Sequence, residues 1–294
     1  MAERRVGLLG ATSLVGECLL PELVQAGWQV IAFSRRAVND TTSGVEWCRL
    51  RNPLSPLTPL PQGEGKIPYW VCVAPIWILP DYFNALETHG VRRIVVLSST
   101  SRFTKWDSSD TGEQTVARRL ANAEACVQAW AEATAVEWVI LRPTLIYGRG
   151  RDRNIAEIAR LIRRYGFFPV LGQASGLRQP VHAEDVARAC LAALEVSNAR
   201  NRAYNISGGE TLTYREMVCR VFVALGRSPR TLSVPLSLFR LAIACLRVLP
   251  RYRQWLTTMA ERMNRDLVFD HAEAARDLGF KPRNFLLAAQ DVEG

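Results

Sequence analysis

Lysine is nearly absent from this chain of 294 residues, which has only Lys66, Lys105 and Lys281 and otherwise carries its positive charge on arginine. The net charge is +9, but no run of arginines with interleaved aromatic residues is present, which argues against a nucleic-acid partner. We interpret most of the charge as solvated surface. A phosphate-bearing ligand and an anionic membrane face are the alternatives.

Paired cysteines and clustered histidines are also missing. None of the seven cysteines forms a Cys-x-x-Cys pair, and the three histidines are far apart, so the sequence contains no evidence of a disulfide framework or a metal site. The N-terminal apolar run is too short and too rich in glycine for a signal peptide. We therefore expect a reduced, cytoplasmic protein.

Six short apolar runs alternate with helical or loop segments in the first half of the chain. They cover residues 6–10, 28–33, 45–50, 69–74, 93–97 and 138–141. Helical periodicity over residues 14–26 and 113–133 lies between some of them, and five prolines in residues 51–68 predict a loop. This alternation predicts an α/β fold with a Rossmann-type, doubly wound parallel sheet, which binds ligands at the carboxyl ends of its strands.

The pattern loosens after about residue 150 into helices around short strands. We expect residues 1–150 to form a dinucleotide-binding domain. Residues 151–294 would form a smaller substrate lobe that is intertwined with the first domain, because no clean linker separates the two.

A glycine turn follows the first predicted strand. A turn of this kind lets the backbone approach a pyrophosphate, and the following helix presents free amides to the anion. We expect the turn to bind a dinucleotide through Gly10, Thr12, Ser13, Leu14, Val15 and Gly16. A tight turn without a ligand is the alternative.

The second predicted strand ends in Ser34, Arg35 and Arg36. An acidic residue at this position would accept a hydrogen bond from the 2′-hydroxyl of NAD, whereas arginine complements the 2′-phosphate of NADP. The sequence therefore favours NADP over NAD. The alternative is that both arginines only face solvent.

These features and three later segments resemble the extended short-chain dehydrogenase/reductase family, the family of sugar-nucleotide epimerases and dehydratases. The turn GATSLVG resembles the family's GxxGxxG, with Ser13 in place of the middle glycine. Residues 97–100, 141–148 and 178–187 are similar to its strand-five serines, its nicotinamide-bordering segment and its substrate-diphosphate segment. The resemblance covers nearly the whole chain and implies further cofactor contacts at Ala74, Pro75, Ser98, Ser99, Pro143, Thr144 and Leu145.

The family's Tyr-x-x-x-Lys pair is missing. Val116 and Leu120 stand at its two positions, and no tyrosine occurs between Phe83 and Tyr147. The resemblance places Thr100 at the catalytic Ser/Thr position, and Tyr147 is the other catalytic candidate, although it could be a packing residue. Both are also candidates for substrate binding.

Three further residues are candidates for the same site. Lys105 and Asp107 follow strand five at the ligand edge, which is the edge formed by the carboxyl ends of the strands. The alternative is that both are ordinary surface charges. Arg178 is at the family's position for gripping a substrate diphosphate, and a salt bridge between the lobes is its alternative role.

Residues 236–249 form an apolar segment between Pro235 and Pro250 that is too short to span a bilayer. We interpret it as a helix of the lobe, with a dimer surface or a peripheral membrane contact as alternatives. The function we expect is that of an NADP-dependent oxidoreductase or isomerase acting on a nucleotide sugar or a similar metabolite. A homodimer is one arrangement in which the chain could act. The alternative is an inactive NADP-binding sensor, scaffold or membrane-associated assembly factor.

Overall fold

A parallel sheet of seven strands forms the centre of the computed structural model, which describes residues 4–38, 42–50, 65–108, 110–152, 154–235 and 262–293. The strands of this sheet are β1 Arg5–Leu9, β2 Gln29–Ser34, β3 Val45–Arg49, β4 Tyr69–Cys72, β5 Arg93–Leu97, β6 Glu137–Pro143 and β11 Arg202–Ile206. Six shorter strands pair in twos outside it: β7 Ile146–Tyr147 with β10 Val181–His182, β8 Phe168–Leu171 with β13 Thr231–Val234, and β9 Leu177–Arg178 with β12 Leu212–Thr213.

The strand order of the main sheet is β11-β6-β5-β4-β1-β2-β3, and all its pairings are parallel. The direction of strand progression reverses between β1 and β4, and this is the position where Rossmann sheets bind dinucleotides. The prediction of a Rossmann-type α/β fold is confirmed, and all six apolar runs form strands of this sheet.

Helices cover both faces of the sheet. They are α1 Leu14–Gln25, α2 Phe83–Thr88, α3 Ser101–Thr104, α4 Thr111–Ala133, α5 Ile155–Tyr165, α6 Ala183–Glu195, α7 Tyr214–Ala224, α8 Ala272–Leu278 and α9 Ala289–Val292, with 3-10 turns at Ile76–Tyr82 and Ser197–Ala199. Helices α1 and α6 share one apolar cluster with the inward side chains of β1, including Val6 and Leu8. Helix α4 and the turn Ile76–Tyr82 share a second cluster on the opposite face.

Helix α4 is placed by its cap and by its buried side. The Asp110 carboxylate accepts hydrogen bonds from the amides of Gly112 and Glu113, at 2.7 and 3.4 Å, and so satisfies two free donors of the first turn. Its buried residues recur at helical spacing: Glu113, Ala117, Leu120, Ala123, Glu124, Val127 and Ala131. Two of these residues, Glu113 and Glu124, carry carboxylates, and acidic side chains are rarely buried without a partner.

The second half of the chain contributes both to the sheet and to a separate core. Strand β11 pairs with β6, and α6 packs beside α1, so residues beyond 150 complete the seven-stranded sheet. A third apolar cluster joins α5, α7 and the C-terminal segment around Phe222 and Phe285. No helix among the described residues is long and apolar enough to cross a membrane. The segment 236–249, with its proposed membrane or dimer contact, lies outside those residues.

Candidate functional site

The turn between β1 and α1 has no room for side chains at its two glycines. Gly10 has φ +87°, and a Cβ atom there would lie 2.6 Å from the backbone nitrogen of Ala74. A Cβ atom on Gly16 would lie 2.3 Å from the carbonyl oxygen of Gly10. The first strand, the first helix and the loop after β4 therefore approach each other as closely as their backbones allow.

Ser13 occupies the middle position of this turn without strain. Its φ is −76° and its ψ is 164°, and its hydroxyl caps α1 by accepting a hydrogen bond from the Gly16 amide at 3.1 Å. The amides of Leu14 and Val15 lie in the first helical turn, where a helix offers no carbonyl partner. The turn thus fits a pyrophosphate, because it has amide donors and lacks side chains where a phosphate would approach.

Two arginines follow β2 at the same edge of the sheet. Ser34 is buried at the end of the strand, and its hydroxyl accepts a hydrogen bond from the Arg36 amide at 3.1 Å. Arg35 and Arg36 are exposed, and neither guanidinium forms an ion pair within the described ranges. Because β2 lies next to β1, the two cations are available beside the glycine turn.

The carboxyl ends of β5 and β6 are joined by Thr100. Its hydroxyl donates to the carbonyl oxygen of Pro143 at 3.2 Å, and its amide donates to the same oxygen at 3.1 Å. The amide of Thr144 donates to the carbonyl of Ile206 in β11. Thr100, Pro143 and Thr144 are therefore together at the ligand edge. Ser99 bonds locally to the Ser101 amide.

A buried carboxylate, Glu124 of α4, lies beneath this edge and was missed as a functional group from the sequence. It is 1% exposed and accepts hydrogen bonds from the Ser98 hydroxyl at 2.5 Å and from Nη2 of Arg142 at 2.7 Å. Arg102 forms a further ion pair with it. The available signal was a single glutamate on the small, apolar side of a long helix. Its bond to Ser98 directs that hydroxyl into the protein.

Tyr147 lies in the apolar core of the C-terminal lobe. It is 0% exposed, and its ring makes edge contacts with His182 and Phe285 at centroid distances of 5.1 and 4.9 Å. Burial raises the pKa of its phenol well above the usual range. A side chain without exposed surface cannot touch a substrate or cofactor. We therefore correct the expectation of a catalytic or substrate-binding role for Tyr147 to the packing role that was its alternative.

Lys105 belongs to a charged group in the loop that follows β5. Its Nζ is 3.4 Å from Oε1 of Glu113, whose Oε2 accepts a hydrogen bond from the Ser108 hydroxyl at 2.7 Å. Arg262 forms a second ion pair with Glu113. Burial, together with the positive charge of Arg262, lowers the pKa of Lys105 to about 8. Lys105 is thus not a simple surface charge, whereas Asp107 is exposed.

Arg178 bonds to backbone carbonyls. It is 4% exposed, and its Nη1 donates to the carbonyls of Leu177 and Arg265, both at 2.7 Å, while Nη2 donates to the carbonyl of Arg262. Burial lowers the pKa of its guanidinium to about 10. These bonds tie β9 to residues 262–265 and occupy donors that a diphosphate would need. The expected role of Arg178 in diphosphate binding therefore lacks support in this conformation, and its partners are not those of a salt bridge.

Exposed apolar side chains occur in the loop after β5 and in the C-terminal segment, and we refer to them together as the apolar rim. The rim consists of Phe103, Trp106 and Val268, which are 45%, 53% and 42% exposed, together with Phe269. The rings of Phe103 and Phe269 are 6.1 Å apart, so the rim joins the loop after β5 to the C-terminal segment. No group of three or more metal-ligating side chains occurs in the part of the chain described by the structure.

Comparison with known proteins agrees with this arrangement of strands and turns. The model of the family described as NAD dependent epimerase/dehydratase matches residues 81–207. This match spans 127 of the chain's 294 residues. The resemblance drawn from the sequence is thereby confirmed, and the matched region contains β5, α4, β6 and the Thr100–Pro143 contact.

Three similar proteins span nearly the whole chain. An uncharacterized protein of Sinorhizobium fredii, y4nG, is 26% identical over 93% of this chain and 74% of its own length. A 2-alkyl-3-oxoalkanoate reductase of Stenotrophomonas maltophilia is 26% identical over 95% of both chains. The structure of MoeE5 in complex with UDP-glucose and NAD has a TM-score of 0.71 at 21% identity and covers 98% of this chain and 96% of its own. The last likeness shows the fold.

The departure from the epimerase/dehydratase pattern on α4 is visible in the structure. Leu120 is 4% exposed and belongs to the apolar cluster on this face of the sheet, and Val116 packs against the same cluster. Both positions of the tyrosine–lysine pair are thus part of the core. The buried charged groups of the same helix are Glu113, before these positions, and Glu124, after them.

Proposed function

We propose that this protein is an NADP-dependent oxidoreductase that interconverts a carbonyl and an alcohol at the carboxyl edge of its sheet. The observation that carries the proposal is the glycine turn, because Gly10 and Gly16 leave no space for a Cβ atom and the first-turn amides of Leu14 and Val15 have no helical carbonyl partner. NADP supplies or accepts a hydride when it is bound there. The protein's contribution is to hold the cofactor and the reacting carbon at this edge.

Each group at the edge has a distinct part in this proposal. The first-turn amides of Leu14 and Val15 bind the pyrophosphate, and Arg35 and Arg36 bind the 2′-phosphate. Thr100 keeps the ends of β5 and β6 together through its two bonds to Pro143. Its hydroxyl oxygen retains lone pairs that can accept a hydrogen bond from a substrate hydroxyl.

Two observations bear on the substrate and favour different classes. The apolar rim and the carbonyl-bound Arg178 favour a carbonyl compound with an apolar part, and the similar reductase of Stenotrophomonas maltophilia is named for 2-alkyl-3-oxoalkanoates. The likeness to MoeE5, which was solved with UDP-glucose, favours a nucleotide sugar. We propose the apolar carbonyl compound first and the nucleotide sugar second.

A panel assay separates these classes. NADPH oxidation would be followed with 3-oxo acids of increasing alkyl length, and NADP reduction with UDP-sugars. We expect kcat/KM to rise with alkyl length, because each methylene buried on the rim contributes about 0.8 kcal/mol. A Phe103→Ser variant should lose this dependence on length, whereas a rate that is equal for all chain lengths would contradict the apolar substrate.

The sensor hypothesis stays open as the second function because the tyrosine–lysine pair is absent. It predicts that NADPH raises the melting temperature, since a ligand that binds only the folded state stabilises it by mass action. It also predicts no turnover with any compound of the panel. Turnover with either substrate class excludes it.

The arginines after β2 provide the test of cofactor choice. We expect an Arg35→Ala/Arg36→Ala double variant to bind NADPH about 30-fold more weakly, because each charge-assisted hydrogen bond to the 2′-phosphate contributes roughly 1 kcal/mol or more. Affinity for NADH, which lacks that phosphate, should stay within about twofold. Fluorescence titration with both cofactors measures the ratio, and an equal loss for both would show that the arginines do not read the phosphate.

A further inference from the structure

We infer that Lys105 donates the proton to the substrate oxygen in the proposed reduction, in place of the tyrosine that α4 lacks. The inference rests on the proposed oxidoreductase function and deepens it. Its basis is the position of Lys105 after Thr100, the partly buried charged group around it, and the unsuitability of Tyr147, Thr100, Arg102 and Arg142 as proton donors.

Lys105 lies one helical turn beyond Thr100. Helix α3 begins directly after Thr100 and ends at the cap residue Lys105, whose backbone N–H donates a hydrogen bond to the Ser101 carbonyl oxygen at 3.1 Å. The two residues therefore share the carboxyl edge of β5. Of the other lysines, Lys66 contacts Gly90 before the start of β5, at the opposite edge of the sheet, and Lys281 is exposed in the C-terminal segment.

Glu113 positions the ammonium group. It belongs to the first turn of α4, which the Asp110 carboxylate caps, and its second oxygen is held by Ser108. The ion pair to Lys105 is therefore anchored to a long, well-packed helix on one side. On the other side, Arg262 approaches the same carboxylate and connects the group to the segment that Arg178 binds.

The charged groups that face Lys105 set its acidity. Glu113 and Asp110 are negative and come from α4 and its cap, while Arg262 is positive and comes from the C-terminal segment. Burial and Arg262 together lower the pKa of Lys105 to about 8. A general acid is most effective when its pKa lies near the working pH, so this lysine is mostly protonated near neutrality and still able to release its proton.

The two catalytic candidates of the sequence and the two nearby arginines are less suitable as the proton donor. Tyr147 has no exposed surface, and the Thr100 hydroxyl donates to Pro143. Arg102 and Arg142 are guanidinium groups, which do not lose a proton near neutral pH, and both bind Glu124.

The proposed step balances with groups already named. As the carbonyl carbon gains the hydride of NADPH, the electron pair of the C=O bond takes a proton from Nζ of Lys105. The products are the alcohol, NADP⁺ and a neutral Lys105 amine, which regains its proton from water. In the direction of oxidation, the neutral amine accepts the proton of the alcohol.

The scarcity of lysine makes a direct measurement of Lys105 possible without any cofactor. Reductive methylation with ¹³C-formaldehyde labels three lysines and the N-terminus, and the Lys105→Arg variant assigns the signal of interest. We expect that signal to titrate near pH 8, about two pH units below a free lysine peptide. A Glu113→Gln variant should lower the pKa further, because Arg262 then acts on Lys105 without the compensating carboxylate.

Kinetics tests the role in proton transfer. Lys105→Met should lower kcat about 100-fold, in the range typical of general acid catalysis, while the Kd for NADPH stays within about threefold. In the unaltered enzyme, kcat for reduction should fall as the pH rises through about 8, and Glu113→Gln should move this limb to lower pH. Lys105→Arg is expected to remain impaired, since arginine keeps the charge but not the acidity. Lys66→Met is the matched control and should retain the original kcat.

Two failures can be told apart. An enzyme that turns over at an unchanged rate with Lys105→Met, or a pH profile that Glu113→Gln does not move, would overturn the role of Lys105 and leave the oxidoreductase proposal intact. A protein that binds NADPH but reduces none of the carbonyl compounds and oxidises none of the UDP-sugars would overturn both.

Discussion

A Gly16→Ala variant is expected to bind NADPH about 100-fold more weakly than the unaltered chain, a loss of about 2.7 kcal/mol of binding free energy. The new Cβ atom would lie 2.3 Å from the Gly10 carbonyl oxygen and 2.7 Å from that of Ala11. Both contacts are with backbone, so the turn itself must shift. The amides of Leu14 and Val15 would then no longer point at one phosphate. Fluorescence titration of NADPH measures the loss.

Gly27→Ala is the matched control for this substitution. Gly27 also has a positive φ, +79°, but nothing lies within 4 Å of the Cβ position. It should lower the free energy of unfolding by about 1 kcal/mol, because an L-residue is strained there, and leave the affinity for NADPH unchanged. Equal affinities for the two variants would contradict the assignment of the turn as the pyrophosphate site.

Replacing Glu124 by leucine is expected to lower the free energy of unfolding by about 3 kcal/mol, which is a large part of the stability of an ordinary domain. The carboxylate is 1% exposed and pairs with Arg142 and Arg102, while Ser98 donates to it. Its loss leaves the guanidinium of Arg142, only 15% exposed, without its partner, and buried charges without partners are costly. The midpoint of urea denaturation measures the change.

Glu132→Leu on the same helix is the control for the loss of a carboxylate and the gain of a leucine. Glu132 is exposed near the end of α4, and substitutions of exposed residues usually change the free energy of unfolding by less than about 0.5 kcal/mol. If Glu124→Leu proved as mild as Glu132→Leu, the ion pairs of Glu124 with Arg142 and Arg102 would not stabilise the fold.

The sheet and the glycine turn could be predicted from the sequence because both depend on local signals. Apolar runs of strand length identify β1 to β6, and glycines directly after β1 identify a turn with close backbone contacts. The replacement of the middle glycine by Ser13 was also interpretable, since serine is a good N-cap and needs no unusual φ there.

The candidate site was less predictable because its partners are distant in the sequence. The sequence predicts that Arg178 binds a diphosphate, but the carbonyls of Arg262 and Arg265, more than 80 residues further along the chain, occupy its donors. Tyr147 carries a reactive group, and only the three-dimensional packing against His182 and Phe285 reveals that it is enclosed. The acidity of Lys105 likewise depends on Arg262, and no local pattern brings these two residues together.

Strand β11 and helix α6 lie late in the chain, so folding of the main sheet during synthesis depends on residues beyond 150. A ribosome that has synthesised only residues 1–150 has produced β6 with an unpaired flank and α1 without its neighbour. Such a fragment would expose strand edges and apolar surface, which promote aggregation. We therefore expect the sheet to become stable only after residue 206 has left the exit tunnel, and expression of residues 1–150 alone should yield insoluble product.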